Sequence, residues 1–238
     1  MARRRRSGRA RRLLIVALAL VVIAIALWQY LQRQGATWLR PVVSTAPGVA
    51  DGAPRVVSAA RVDPANEGRR IRIEGRVEAA GPARDTELGV EAAAPVLLRK
   101  VEMRQWQETC SAGRCDYVLA WSAQPIDSSR FRVPQGHANT LPWPLRSARF
   151  VAEPLRLGAF ALDPALLPRS GPTRSWPVTL AQLPPNLAAS FRSEGGALYT
   201  GDPAHAAVGD LRVSYAVPAE AALTVVGTQR ASRLVAQP

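Results

Sequence analysis

The side chains that do most of the chemistry in proteins are scarce here. The only cysteines are Cys110 and Cys115, separated by Ser-Ala-Gly-Arg, and the only histidines are His137 and His205. Two thiols at this spacing could close a disulfide, act as a redox pair or supply half of a metal site. Zinc takes four ligands, so a lone C-x4-C with no further cysteine serves it poorly. The C-x-x-C spacing of oxidoreductases is absent. Asp202 lies three residues before His205, but turns rich in Gly, Asp and Pro bring such residues together by chance. There is no G-x-S-x-G elbow, no Walker loop, no G-x-G-x-x-G and no H-E-x-x-H. The residues therefore indicate no catalytic set, no metal site and no cofactor; an enzyme is not expected.

The cysteines do organise a hairpin. A four-residue turn over 111–114 makes them cross-strand neighbours, joining strands over Val96–Glu108 and Tyr117–Gln124. Facing pairs then sum to 225: Glu108 with Tyr117, Trp106 with Leu119, Arg104 with Trp121. One face carries both cysteines, both tryptophans, Tyr117 and Leu119, a surface suited to packing. Arg104 against Trp121 makes a cation–π contact. In an oxidising compartment this register favours a structural disulfide over free thiols or a redox pair. Closing so small a loop stabilises the fold by about 2 kcal/mol.

The compartment follows from the N-terminus. Residues 1–12 hold Arg3, Arg4, Arg5, Arg6, Arg9, Arg11 and Arg12 without an acid, and Leu13–Trp28 is an unbroken apolar run that extends to Leu31. Nineteen helical residues reach roughly 28 Å, close to the ~30 Å hydrocarbon layer. Only Arg33 and Arg40 follow the run closely, so the positive-inside rule puts the N-terminus in the cytoplasm. The bulky sequence Trp28-Gln29-Tyr30-Leu31-Gln32-Arg33 favours an uncleaved anchor over a signal peptide. The expected organisation is a cytoplasmic tail at 1–12, a transmembrane helix at 13–31, a linker at 32–54 and a β-rich extracytoplasmic domain at 55–238. The formal charge of +13 is concentrated in the tail. No basic stripe interleaved with aromatics follows residue 40, so nucleic acid is not an expected partner.

In the distal part, Arg70-Ile71-Arg72-Ile73 alternates as a half-buried strand does. Leu211–Val217 and Ala222–Gln229 predict a second hairpin about Pro218–Ala221. Residues 134–185 hold ten of the twenty prolines, which predicts loops and edge segments, with a short helix near Asn186–Ser190. The fold class expected is a β-dominated α+β domain after a single N-terminal transmembrane helix.

Several segments occur in an order that is similar to one family. Val101-Glu102-Met103-Arg104-Gln105-Trp106 resembles the V-E-M-x-Q-W signature of the LUMA (transmembrane protein 43) family, preceded by Gly89-Val90 and Leu98-Arg99. Ile126-Asp127-Ser128 and Phe131 lead to Gly136-His137-Ala138-Asn139, similar to the family's G-H-x-N-P, although Thr140 stands where that proline usually is. Leu157-Gly158-Ala159-Phe160-Ala161-Leu162 and Val208-Gly209-Asp210-Leu211-Arg212-Val213-Ser214-Tyr215 complete the resemblance, with Val225–Arg230 and Leu234-Val235 beyond. It implies a membrane protein with one N-terminal span and a large domain outside the cytoplasm. Eukaryotic relatives sit in the endoplasmic reticulum and inner nuclear membrane and organise the envelope through protein partners. No catalytic residue carries over, so the matched residues are expected to be framework, with Trp106 in the core and Asp210 paired with Arg212 at a strand entry. Relatives continue into further spans near the C-terminus, so the chain is expected to be a fragment or a one-span variant.

Lys100 is the only lysine among thirty arginines, a usage typical of GC-rich bacterial genomes; a role tied to a nuclear lamina cannot transfer to a bacterium. The function expected is a membrane-anchored interaction or scaffold protein of the bacterial inner membrane, partnered by the lipid bilayer, envelope proteins or its own copies. The alternative is an envelope hydrolase or ligand-binding receptor with a site in the Pro-rich 134–205 region, where His137, His205 and carboxylates would gather.

Overall fold

The computed structural model describes residues 53–220 and 222–236. The expected cytoplasmic tail, transmembrane helix and nearly all of the linker lie outside the described residues. Among the described residues no helix is long and apolar enough to cross a membrane. The strands in chain order are β1 (Arg55–Val57), β2 (Arg70–Ala79), β3 (Ala83–Arg84), β4 (Glu91–Ala92), β5 (Val96–Ser111), β6 (Arg114–Ser122), β7 (Ala148–Val151) and β8 (Leu155–Leu157). They continue with β9 (Phe160–Leu162), β10 (Thr173–Ser175), β11 (Arg192–Glu194), β12 (Ala197–Tyr199), β13 (Leu211–Pro218), β14 (Ala222–Arg230) and β15 (Arg233–Val235). The domain is β-dominated, as expected, and the short helix near 186–190 is a single turn, Pro185–Ala188.

The first sheet closes on itself. β2 pairs with β14 along one edge over Arg70–Arg76, and its last residues, Val77–Ala79, take β8. β8 continues through β9 and β15 back to β14, making a five-stranded barrel with β1 added outside. Closure removes the exposed edges that an open sheet would leave. The alternation read at Arg70–Ile73 directs Ile71 and Ile73 inward, both fully buried, followed by Val77. They meet Leu155, Leu157, Phe160, Val225 and Leu234 in the core.

The second sheet is built on β5 and β13, which pair antiparallel from Leu98↔Ala216 to Met103↔Leu211. The far edge of β5 carries β7 and then β6; that of β13 carries β10 and then β12, with β11 outermost. Leu97, Val101, Met103, Leu211, Val213, Tyr215 and Val217 point inward to the same apolar core as the barrel residues. The predicted hairpin of Leu211–Val217 with Ala222–Gln229 does not form. β13 belongs to the second sheet and β14 to the barrel. The chain passes from the second sheet to the barrel between β13 and β14, because both strands find longer partners elsewhere and their buried faces must share one core.

Gly158 lies between β8 and β9 at φ 58°, and a Cβ there would collide with the carbonyl of Ala59. That carbonyl accepts a hydrogen bond from Ala159 N at 2.8 Å, fixing the 59–60 turn against the barrel. Gly158→Ala should therefore lower stability by about 2 kcal/mol, combining left-handed strain with the clash. The matched control Gly171→Ala meets only open space. Urea unfolding of the full chain in detergent should separate the two; equal midpoints would refute the account.

Candidate functional site

The cysteine hairpin has the predicted register, Cys110↔Cys115 through Arg104↔Trp121, and the cysteines are bonded. Its turn is tighter than expected. Ser111 pairs with Arg114, leaving only Ala112 and Gly113 as the loop, at φ 49° and 81°. Two successive positive φ values give the primed turn whose twist matches the flanking strands, so each strand runs one residue further into the turn. Glu108 is the nearest candidate ligand to the two sulfurs, but a disulfide leaves no thiolate to bind a metal.

The matched segments meet on the outer half of β5. The side-chain amide of Asn139 acts as a surrogate strand: its Oδ1 accepts from Trp106 N at 2.7 Å and its Nδ2 donates to Trp106 O at 3.0 Å. This continues the edge where β13 ends, since Arg104 N and O are already taken by Asp210 and Gly209. Asn139 N in turn donates to Ser128 Oγ at 2.9 Å. His137 stacks on Tyr117 at 3.9 Å between centroids and meets Trp106 edge-on at 4.8 Å. Its Nδ1 lies 3.0 Å from Val133 O. The Tyr117 hydroxyl donates to Glu108 and accepts from Val133 N; burial, then the bond to Glu108, raises its pKa. Trp106 is thus half-buried beneath the 126–139 loop rather than in the core as expected, because even-numbered β5 residues point away from the barrel.

The other motif residues are equally engaged. Fully buried Gln105 donates to Gln124 O and accepts from Ile126 N, holding the chain that leaves β6. Val101 and Val213 pair directly in the core. Arg212 does not pair with Asp210. It bonds Glu102 through Nε at 3.0 Å and Nη2 at 2.8 Å, while Asp210 accepts from Ala207 N at 2.7 Å. The reason is register: Arg212 faces Glu102 directly across the strands. Burial would raise the Glu102 pKa, but Lys100 and Arg212 outweigh it and hold it below the ordinary glutamate range. On the same outward face, Arg212 and Arg104 lie 4.9 and 5.9 Å from the centroid of Trp121, confirming the predicted cation–π contact for Arg104.

One polar cluster has no counterpart in the sequence reading. Asp85 is fully buried, and its Oδ2 accepts from Arg99 Nη1 and from the Tyr215 hydroxyl, both at 2.6 Å. Its Oδ1 accepts from Glu87 N and Leu88 N. Arg99 completes its set with Glu87 and with Arg146 O at 2.9 Å. Burial tends to strip the proton from Arg99, but Glu87 and Asp85 outweigh it and raise the pKa. Burial, then Asp85, holds the Tyr215 phenol well above the ordinary tyrosine range. The available signal was an arginine at an inward position between Leu97 and Val101, and a tyrosine between Val213 and Val217. Nothing periodic marked Asp85.

His205 and Asp202 form an exposed pair at 3.0 Å. The structure places His137 and His205 with different partners, and neither lines the groove of about 420 Å3 formed by Pro125, Leu141, Pro142, Trp143 and Arg146.

The geometry defines a β-domain whose distinctive polar residues are spent on holding strands and loops together. The chain belongs to the Transmembrane protein 43 family, whose model matches residues 100–236. Transmembrane protein 43 of Homo sapiens and that of Pongo abelii are each 28% identical over 219 residues, covering 81% of this chain and 54% of the relative. The protein of Rattus norvegicus is 27% identical over the same length. The chain spans about half the length of these curated relatives. No solved structure matches it.

Two substitutions test this site. Asn139→Ala leaves Trp106 N and O without partners and should cost about 1–3 kcal/mol in unfolding free energy, read from urea denaturation. Unchanged stability would mean that the amide only decorates the edge. Tyr215→Phe removes a donor to a buried carboxylate and should cost about 1.5–3 kcal/mol at pH 7. Because the folded phenol keeps its proton above pH 10 while the unfolded one releases it, Tyr215 stabilises fully below pH 10 and less above it. The gap between wild type and variant should therefore narrow from pH 10 upward; parallel curves would refute the bond to Asp85.

Proposed function

We propose that this chain is a membrane-anchored interaction or scaffold protein of the bacterial cell envelope, with its β-domain outside the cytoplasm. What carries the reading is the fate of the family-matched polar residues. Gln105, Asn139, Glu102, Arg212 and Asp210 all hydrogen-bond within the domain. They build a rigid frame rather than a reactive centre. Residues 53–236 are then a platform, and the partners are membrane or envelope proteins that dock on its surface. The Leu13–Leu31 run supplies the anchor, and the seven arginines before it hold the N-terminus in the cytoplasm. The Cys110–Cys115 disulfide agrees with an oxidising compartment for the domain.

The arrangement predicts that alkaline phosphatase fused after Pro238 is active in intact cells and that the chain resists carbonate extraction. An inactive phosphatase, together with a fluorescent cytoplasmic reporter at the same point, would overturn the topology. Cross-linking in native membranes should then recover envelope proteins, and recovery of none would remove the scaffold reading.

A further inference from the structure

The long hairpin leaves one strand edge without a partner. Arg104 and Trp106 direct their N–H and C=O toward Gly209, Asp210 and Asn139, away from β6. Alternation then turns the backbone groups of Met103, Gln105, Gln107 and Thr109 toward β6, where they meet Ser122, Ala120, Val118 and Asp116. The intervening residues of β6, Cys115, Tyr117, Leu119 and Trp121, must present their N–H and C=O on the opposite edge. Among the described residues no strand pairs with that edge, and no hydrogen bond satisfies those groups.

Natural edge strands are usually kept short, or protected by proline, bulges or charge, because a free ladder invites another chain. β6 has nine residues. It contains no proline or glycine, and its only charges, Arg114 and Asp116, sit at one end. Its midpoint is Val118, which is 53% exposed. We infer that β6 pairs antiparallel with β6 of a second copy of this chain, about a two-fold axis at Val118.

The register is self-complementary. It sets Val118 on Val118, Tyr117 on Leu119, Cys115 on Trp121, Asp116 on Ala120 and Arg114 on Ser122. The charged end of each strand meets the uncharged end of the other, whereas a parallel pairing would set like charges side by side. All four unpaired residues of each strand enter the ladder, about eight hydrogen bonds by antiparallel geometry. The exposed valines become a non-hydrogen-bonded pair, in which side chains approach most closely. The two β5–β13 sheets then run on as one through the dimer. This deepens the interaction reading above and rests on it, but it concerns one edge and one occupant.

The test is a charge swap on the full chain in detergent micelles. Val118→Lys places lysine on lysine at the axis and Val118→Glu places glutamate on glutamate. Each variant alone should self-associate at least about tenfold more weakly than wild type by sedimentation, a loss of about 1.4 kcal/mol. The two mixed should recover association as a heterodimer. Val118 lies outside the core, so neither variant should lose cooperative unfolding. Amide exchange gives a second readout that does not depend on substitution. The amides of Tyr117, Leu119 and Trp121 should slow about tenfold or more between dilute and concentrated wild-type samples, while those of Val118 and Ala120 stay protected throughout. The inference is overturned if both variants associate as wild type does, if mixing restores nothing, or if the three amides exchange freely at every concentration. Envelope proteins recovered by cross-linking despite such a result would leave the scaffold reading standing and remove only this interface.

Discussion

The domain is organised around a charge that water does not reach. Asp85 sits fully buried, and four donors converge on it: Arg99, the Tyr215 hydroxyl and the backbone of Glu87 and Leu88. An isolated carboxylate in such a place would be prohibitive, and removing one partner of a buried ion pair typically costs about 3–5 kcal/mol. The network makes the loop between β3 and β4, the centre of β5, the centre of β13 and the 146 loop depend on a single geometry. Displacing any one of them strands a charge, so the second sheet assembles as a unit. A hydrophobic pair could fill the same volume. It would not fix the register of β13 on β5 so sharply, since aliphatic contacts tolerate sliding more readily than a carboxylate with four directed bonds.

Around that centre the fold repeats one economy. Each of three long strands carries two partners in tandem on one edge: β1 and β8 on β2, β7 and β6 on β5, β10 and β12 on β13. The prolines of 134–185 fit this arrangement, because short edge segments tolerate residues that donate no backbone hydrogen bond. Where no strand is available, a side chain substitutes for one, as Asn139 does beside Trp106. The family signature around Trp106 and the Gly-His-x-Asn segment are thus two halves of one joint, more than thirty residues apart in sequence and bonded in space. The bonds from Asn139 to Trp106 explain why the two segments belong together. Thr140 in the position of the usual proline leaves the joint intact, since the bonds are made by Asn139.

Much of this was legible in advance, and for identifiable reasons. The 225 register of the cysteine hairpin followed from symmetry about a short turn, and Arg104 over Trp121 followed from that register. Ile71 and Ile73 were readable because alternation on a half-buried strand is a local pattern. The turn length was misread because Ala112 adopts a positive φ that its residue type gives little reason to expect. Pairing β13 with β14 failed because adjacency along the chain is only a tendency, and each strand had a longer partner in a different sheet. Trp106 was expected in the core as part of the family-matched framework, although its parity with Arg104 placed it on the outward face.

The sequence by itself determined the β character of the domain, the disulfide and its facing pairs, the family, and the contrast between an arginine-rich start and a mixed remainder. These depend on periodicity, composition and short-range spacing, which are written in neighbouring residues. Only the tertiary structure decided that the first sheet closes into a barrel, that β13 and β14 part company, that Arg212 takes Glu102 instead of Asp210, and that Asp85 is buried at the hub. Each of these joins residues far apart in the chain, and Asp85 and Tyr215 are bonded across 130 positions. Such partners are selected by how the shared core packs and by which buried polar groups must be satisfied. That choice is made by the whole chain at once, and no local window of sequence contains it.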